Sequence, residues 1–136
     1  MSDYFSPKNN MKKIIVAQNA PAPIGPYSQA VMAGNTLYIS GQIAIDPVTQ
    51  TYVPSDVESE AVLVMKNLSA ILEAAGMDFS CVVKTSIFMA DMNDFAKVNA
   101  IYASYFRDQF PARETVQVSV LPKNCKVEIS MIAYKP

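Results

Sequence analysis

The chain contains no histidine and no tryptophan, and only two of its 136 residues are arginine and two cysteine. Without histidine there is no base for a Ser-His-Asp or Cys-His nucleophile. His-ligated zinc and iron centres are excluded with it. The two cysteines, Cys81 and Cys125, are far apart and form no CxxC motif, which indicates free thiols in a reducing compartment. Cys125 falls in a turn-like segment, where exposure is expected. Long hydrophobic runs are also missing. The early run Ile14-Ile15-Val16-Ala17 is too short for a signal-peptide core, and no stretch is long enough to span a bilayer, so a cytoplasmic protein is expected. A basic surplus is absent as well: eleven Lys and Arg face twelve Asp and Glu, for a net charge of −1 and a pI near 5.3. The cations are scattered, with Lys12-Lys13 the densest pair, so no nucleic-acid partner is expected.

The chain is 51% hydrophobic and 17% charged, enough to bury the core of one domain. Met1 to Asn10 is polar and aperiodic and is read as a disordered extension, leaving residues 11–136 as a single domain. Gly34-Asn35 between Ser28–Met32 and Thr36–Ser40 marks a two-residue hairpin. Upstream, Pro21, Pro23 and Pro26 force an extended loop that carries Tyr27. A helix is expected over Ser55–Ala75. Ser55 and Glu58 form a capping box, Val57, Ala61, Met65, Leu68, Leu72 and Ala75 share one face, and Gly76 sits at the C′ position. Val82–Ala90 is strand-like. Asp91 to Asn93 offers caps for a second helix over about Asp94–Arg107, with Phe95, Val98, Tyr102 and Tyr105 as its stripe and Phe110-Pro111 as its stop. Two strands follow, Glu114–Leu121 and Lys126–Tyr134, read as a hairpin turning at Pro122-Lys123-Asn124. The order indicates an α+β domain with one helical layer on a mixed sheet.

Of the two arginines, Arg113 stands out. It enters a strand directly behind Phe110-Pro111-Ala112. In the expected hairpin Val116, Val118 and Val120 point one way and Thr115, Gln117 and Ser119 the other. Val127, Ile129, Met131 and Ala133 oppose Lys126, Glu128, Ser130 and Ile132. One face packs on the helices, and the polar one meets solvent or a partner subunit. This register puts Arg113 and Glu128 on the same polar face, but ~20 Å apart, with Arg113 opposite Tyr134. One small ligand reaches both only across a subunit boundary. Lys84 is read as solvated or ion-paired.

Several segments together resemble the RidA/YjgF family of reactive-intermediate imine deaminases. They are Ala20-Pro21 through Ile24-Gly25-Pro26-Tyr27-Ser28-Gln29-Ala30, Ile39-Ser40-Gly41-Gln42-Ile43, Glu73-Ala74-Ala75-Gly76, Val83-Lys84-Thr85, Asp91-Met92-Asn93-Asp94-Phe95 with Val98-Asn99, Phe110-Pro111-Ala112-Arg113, and Leu121-Pro122 with Val127-Glu128-Ile129. They run in order from about Lys13 to Tyr134. The resemblance implies a six-stranded mixed sheet with two helices on one face, of the chorismate-mutase-like type. It also implies a homotrimeric barrel with three inter-subunit clefts. The implied reaction is hydrolysis of 2-iminobutanoate, 2-iminopropanoate and 2-aminoacrylate-type intermediates to 2-keto acids and ammonia, with no cofactor and no metal. By position, Arg113 matches the arginine that binds the substrate carboxylate, and Glu128 matches the acidic residue that handles water and protons at the imine carbon. Tyr27, Ser40, Gly41 and Asn93 match cleft residues. Thr115 stands where archetypal members often have cysteine, which implies a changed pocket polarity. Two other classes of function stay open: a non-catalytic trimer that binds small 2-keto acids, and an endoribonuclease or translation inhibitor.

Overall fold

The computed structural model describes residues 12–136, so the expected disordered extension lies outside the described residues. The Gly34-Asn35 turn joins β2 (Ala30–Ala33) to β3 (Thr36–Gln42), with Ala33 paired to Thr36. A strand not foreseen, β1 (Lys12–Ile15), pairs antiparallel with β2 at the sheet edge. Helix α1 (Val57–Ala74), strand β4 (Val82–Met89), helix α2 (Phe95–Ala103), β5 (Ala112–Gln117) and β6 (Val127–Tyr134) complete the domain. The sheet has six strands in the order β1-β2-β3-β6-β4-β5 and is mixed, because β5 runs parallel to β4 while every other pair is antiparallel. The helices pack on one face, over a core that includes Leu37, Ile39, Ile87, Met89, Val127, Ile129 and Met131.

The last two strands are not a hairpin. Strand β4 lies between β5 and β6, and the Pro122–Asn124 segment is a 3-10 turn in which Lys123 and Asn124 have φ of 60° and 54°. Parallel β5 takes the edge instead, reached from β4 through α2 in a β-α-β crossover. This overturns the expected register. Arg113 pairs with Thr85, which pairs with Met131, so Arg113 is level with Met131 and not with Tyr134.

Helix α1 begins one residue later than its apparent capping box. Asp56, not Ser55, is the N-cap: its carboxylate accepts the Ser59 amide at 2.7 Å and the Ser59 hydroxyl at 3.0 Å. A carboxylate gains from the helix dipole where a serine hydroxyl gains little, so aspartate takes the position. Gly76 ends the helix with φ of 72°, and its amide bonds the Glu73 carbonyl at 2.9 Å. Helix α2 ends at Ala103, well before Phe110-Pro111. Its chain tightens there into i→i−3 bonds, from Tyr105 to Tyr102 and from Phe106 to Ala103, both at 3.1 Å. That turn lets Tyr105 and Phe106 each meet Phe79 edge-on at 5.5 Å. Asn93 is not a side-chain cap; Asp91 caps the short 3-10 turn at 92–94, and α2 has no side-chain cap bond.

Helix α1 also buries a carboxylate within its apolar stripe. Glu60 is fully buried. It accepts the Tyr52 hydroxyl at 2.8 Å, the Lys126 amide at 3.0 Å and the Lys126 ammonium at 3.4 Å. The same ammonium donates to the Ser55 carbonyl at 2.6 Å. Helix start, the Tyr52 segment and β6 entry therefore converge on one acceptor. Burial first, then the hydrogen bond and negative charge of Glu60, raise the Tyr52 phenol well above its ordinary value. Removing the carboxylate strands two part-buried donors, the Tyr52 hydroxyl and the Lys126 amide. Glu60→Ala is expected to destabilise the fold by about 3 kcal/mol, and Glu60→Gln by less, because the amide keeps one acceptor. Urea denaturation of the two variants checks both the size and the order.

Candidate functional site

A β-bulge builds the first half of the site. Between β3 and β6, Ile39 pairs with Met131 and Gln42 with Ile129, so β3 carries one extra residue at Ser40-Gly41. Bulges of this kind bend a strand and re-aim side chains. The bulge faces Ser130, and the side chain of Glu128, two residues along the same face of β6, reaches it. A Cβ on Gly41 would run into the Glu128 carboxylate Oε2 and lie 2.8 Å from its Cδ. A side chain at this position would displace the Glu128 carboxylate from the place it occupies.

The Pro-rich loop forms the next wall. Gln29 is buried and pins it: its Oε1 accepts the Ala17 amide at 2.7 Å, and its Nε2 donates to the carbonyls of Ala17 at 3.0 Å, Ala20 at 3.4 Å and Pro21 at 2.8 Å. Gln50, from the turn after Asp46-Pro47, accepts the Ala22 amide at 2.9 Å. Tyr27 folds back so that its hydroxyl accepts the Ile24 amide at 3.2 Å. Ser40 donates to the Ser28 carbonyl at 2.6 Å, locking the bulge to the loop. The result is a cleft of about 370 Å³ in which Tyr27, Ser40, Gly41 and Glu128 meet, with Ile24, Ile43, Ile45 and Pro122 as apolar walls.

Glu128 is half-buried, and no hydrogen bond or ion pair reaches its carboxylate among the described residues. Burial raises its pKa above the ordinary carboxylate range. Such a group is poised to exchange protons nearer neutrality than a solvated glutamate. Cys125 lies close by but is buried, contrary to its expected exposure, because it packs with Ile43, Ile45 and Leu121. Burial first, then the negative charges of Glu60 and Glu128, push its thiol to about 11, so it remains protonated and unreactive at neutral pH.

The second half lies on the other face. Directly paired residues share a face of a sheet. Glu128 pairs with Phe88, whereas Arg113 pairs with Thr85 on the helical side. Arg113 and Glu128 therefore point to opposite faces, not to a common polar one. Two strand spacings across and three residues along separate their backbones by roughly 14 Å. The inward set of β5 is Arg113, Thr115 and Gln117, and its Val116 lies on the open face, 41% exposed. The open face is mixed and not purely polar: Tyr38, Ile132 and Val116 share it with Ser86, Ser130 and Glu114. Lys84 is ion-paired there with Glu114 at 2.7 Å.

Arg113 lines a separate cleft of about 280 Å³ with Asn99, Tyr102, Ala103, Phe110 and Pro111. Among the described residues no carboxylate or hydrogen bond meets its guanidinium. Thr115, two residues along β5, has a buried hydroxyl oxygen with no hydrogen-bond partner. Asn93 is exposed in the turn that follows β4 and lines neither cleft. Its neighbour Met92 is tied by its amide to Gln117 of β5 at 2.7 Å, which places Asn93 at the Gln117 end of the edge strand, the end away from Arg113. Sequence reasoning gave no role to Gln29, Glu60 or Asn67. Asn67 is buried in α1 and donates to the Ile45 carbonyl beneath the first cleft at 2.9 Å. A polar residue inside an otherwise apolar helical stripe is the signal that marks the last two.

Comparisons with known proteins agree with this architecture. A 2-iminobutanoate/2-iminopropanoate deaminase of Mus musculus is 52% identical over 123 residues, which cover 90% of this chain and 91% of that protein. A protein of unknown function from the conserved Rid family of Yersinia pestis has a TM-score of 0.89 at 48% identity, covering 91% of this chain and 99% of its own. The structure of E. coli TdcF with bound serine matches with a TM-score of 0.87 at 42% identity, over 91% of this chain and 99% of that one. The family model described as Endoribonuclease L-PSP matches residues 17–135. With the bulge, the Pro-rich loop and the β-α-β edge all in place, and with a family match across nearly the whole described domain, the chain belongs to the RidA/YjgF family.

Proposed function

We propose that the protein is a 2-iminobutanoate/2-iminopropanoate deaminase, a hydrolase acting on the C–N bond of small 2-imino acids. The carrying observation is the cleft in which Glu128, desolvated and without a partner, faces Tyr27 and the Ser40-Gly41 bulge. The identity with deaminases of this name supports the substrate class, and the serine held by a structural relative supports a ligand with a carboxylate and an amino-type nitrogen. Water adds to the iminium carbon, and ammonium leaves as the carbonyl forms: C=NH2+ plus H2O gives C=O plus NH4+. Glu128 in its ionised form takes a proton from the attacking water and returns it to the departing nitrogen. Arg113 binds the substrate carboxylate through its planar fork of donors. Tyr27, Ser40 and Gly41 line the Glu128 side, Thr115 neighbours Arg113 on β5, and Asn93 stands at the Gln117 end of the same strand. Nothing in these steps calls for a cofactor or a metal.

The opposite faces of Arg113 and Glu128 require a second copy of the chain. A homotrimer with sites between subunits, Arg113 from one copy and Glu128 from the next, meets that requirement. Tyr38, Val116 and Tyr134, between 41% and 50% exposed, give the open face the apolar surface such contacts bury. No helix of the described residues is long and apolar enough to cross a membrane. A reducing cytoplasmic setting suits the two free thiols. The family model's description names an endoribonuclease, but a net charge of −1 with scattered lysines offers no surface for tracking phosphates.

Three outcomes are expected. With 2-aminoacrylate generated by a serine dehydratase, the protein accelerates keto-acid release above the uncatalysed rate, and Arg113→Ala loses roughly a hundredfold in kcat/KM, equivalent to about 2.7 kcal/mol. Binding of 2-oxobutanoate without any acceleration would instead leave a carboxylate-binding trimer.

The pH profile follows from Glu128. Burial disfavours its charged form and raises its pKa, so the ionised base is lost at a higher pH than for a solvated glutamate. The acid limb of kcat/KM is therefore displaced upward, and Glu128→Gln abolishes that limb. A limb at the ordinary carboxylate position, or one that survives in Glu128→Gln, would remove Glu128 from the base role.

Subunit sharing has its own signature. Arg113→Ala and Glu128→Gln chains, each inactive alone, are unfolded and refolded together in equimolar amounts. Random trimers then regain about a quarter of wild-type activity, because half of the chains supply each intact residue at any interface. A mixture as inactive as its parts would place both residues' work within one chain.

A further inference from the structure

Among the described residues Arg113 has no carboxylate partner, yet its guanidinium is not adrift. Its Cζ lies 4.9 Å from the centre of the Tyr102 ring and 5.7 Å from that of Phe95. We propose that Tyr102, assisted by Phe95, is a positioning residue: an aromatic shelf that holds the guanidinium by its face and leaves its N–H edge turned to the substrate carboxylate.

The geometry of the two interactions makes them compatible. Rings attract a guanidinium through its flat face. A carboxylate binds in the guanidinium plane, through two parallel N–H donors. Stacking therefore orients the fork without using any donor that the ligand needs. Ion pairing with a protein carboxylate would orient it equally well but would occupy those donors.

The shelf is itself fixed. Tyr102 is only 4% exposed, and its ring packs on Phe106 with centroids 4.8 Å apart. Its hydroxyl donates to the Thr85 Oγ1 at 3.0 Å, and Thr85 is fully buried. Thr85 is also the strand partner of Arg113 between β4 and β5. One residue of β4 thus sets both the backbone of Arg113 and the ring beneath its head group. Phe95 closes the shelf from the first turn of α2 and is 38% exposed, at the rim. The substrate named here rests on the deaminase reading above; the shelf needs only a small carboxylate.

The test compares Tyr102→Leu, Tyr102→Phe and Phe95→Leu with the wild type. It uses KM and kcat on dehydratase-generated 2-iminobutanoate, and the Kd of 2-oxobutanoate by calorimetry. Tyr102→Leu is expected to raise KM and Kd about five- to tenfold, equivalent to about 1 to 1.4 kcal/mol, with kcat changed less than about twofold. Tyr102→Phe, which keeps the ring, stays within about twofold of wild type, and Phe95→Leu raises both constants by a smaller factor than Tyr102→Leu. Should Tyr102→Leu fail to fold, Phe95→Leu at the rim decides the matter by its own, smaller increase in KM and Kd. Unchanged KM and Kd in the folded leucine variants overturn the proposal, and so does a loss in Tyr102→Phe as large as in Tyr102→Leu. A wild type that binds 2-oxobutanoate without accelerating imine hydrolysis overturns the deaminase reading alone, and the Kd series then still decides the shelf.

Discussion

Everything in the candidate site depends on the insertion of β4 between β5 and β6. A sheet has two faces, and a residue shares its face with the residue it pairs with. Through β4, Arg113 is tied to Thr85 and the helical side, and Glu128 to Phe88 and the open side. A one-residue slip of β5 would reverse that assignment, but it would also carry Val116 inward and turn Glu114 to the helices, away from Lys84, which stays on the open face of β4. The ion pair and the stacking of Arg113 on Tyr102 thus both fix the observed register.

That division explains the electrostatics of each half. A carboxylate half out of water with no donor raises the energy of its charged form, and Glu128 accordingly has a raised pKa. A guanidinium with no anion nearby retains its donors unspent. Neither arrangement favours the stability of an isolated chain. Each becomes favourable once the complementary charge arrives, whether from a ligand or across a subunit boundary. The uncompensated polar group at Thr115, beside Arg113, belongs to the same pattern. Sites commonly depart from local satisfaction where function requires a group to be available.

Local features were legible in the sequence. Gly34-Asn35 carries a hairpin because two residues suffice to specify one, and Gly76 ends α1 because only the left-handed region closes the helix there. The pairing of β5 was not legible. Two alternating strands separated by a short turn look like a hairpin, and nothing within Glu114–Tyr134 reveals that a strand thirty residues upstream will claim the space between them. The error reached the site: it put Arg113 and Glu128 on one face. The two residues are separated within the chain all the same, by opposition across the sheet instead of distance along it. Cys125 was misjudged on the same grounds, since a turn in sequence became the plug of a small apolar cluster in space. The cleft residues Tyr27, Ser40 and Gly41 were reached only through the family resemblance, because a bulge is invisible to alternation until its partner strand is known.

The cleft's irregular walls raise a further question, namely how loops can hold a reactive geometry. Pro21 to Tyr27 and Ile43 to Tyr52 have almost no regular pairing of their own; one isolated bridge joins Ile45 and Tyr52. Their order comes from buried side chains that act as backbone substitutes. Gln29 replaces a strand partner for Ala17 and Pro21, Asn67 takes the Ile45 carbonyl, and Glu60 takes Tyr52 and the Lys126 amide. Each of these anchors sits on a regular element, β2-adjacent or helical, and reaches outward to a segment that touches the cleft. A long polar side chain that is fully satisfied rigidifies what it holds, at the cost of desolvating itself. In a chain without histidine, catalytic pKa tuning falls to a carboxylate, and a carboxylate is tuned chiefly by how completely water is kept from it. On the role proposed for Glu128, fixing the loops around it is part of the chemistry, because a mobile wall would re-solvate the carboxylate.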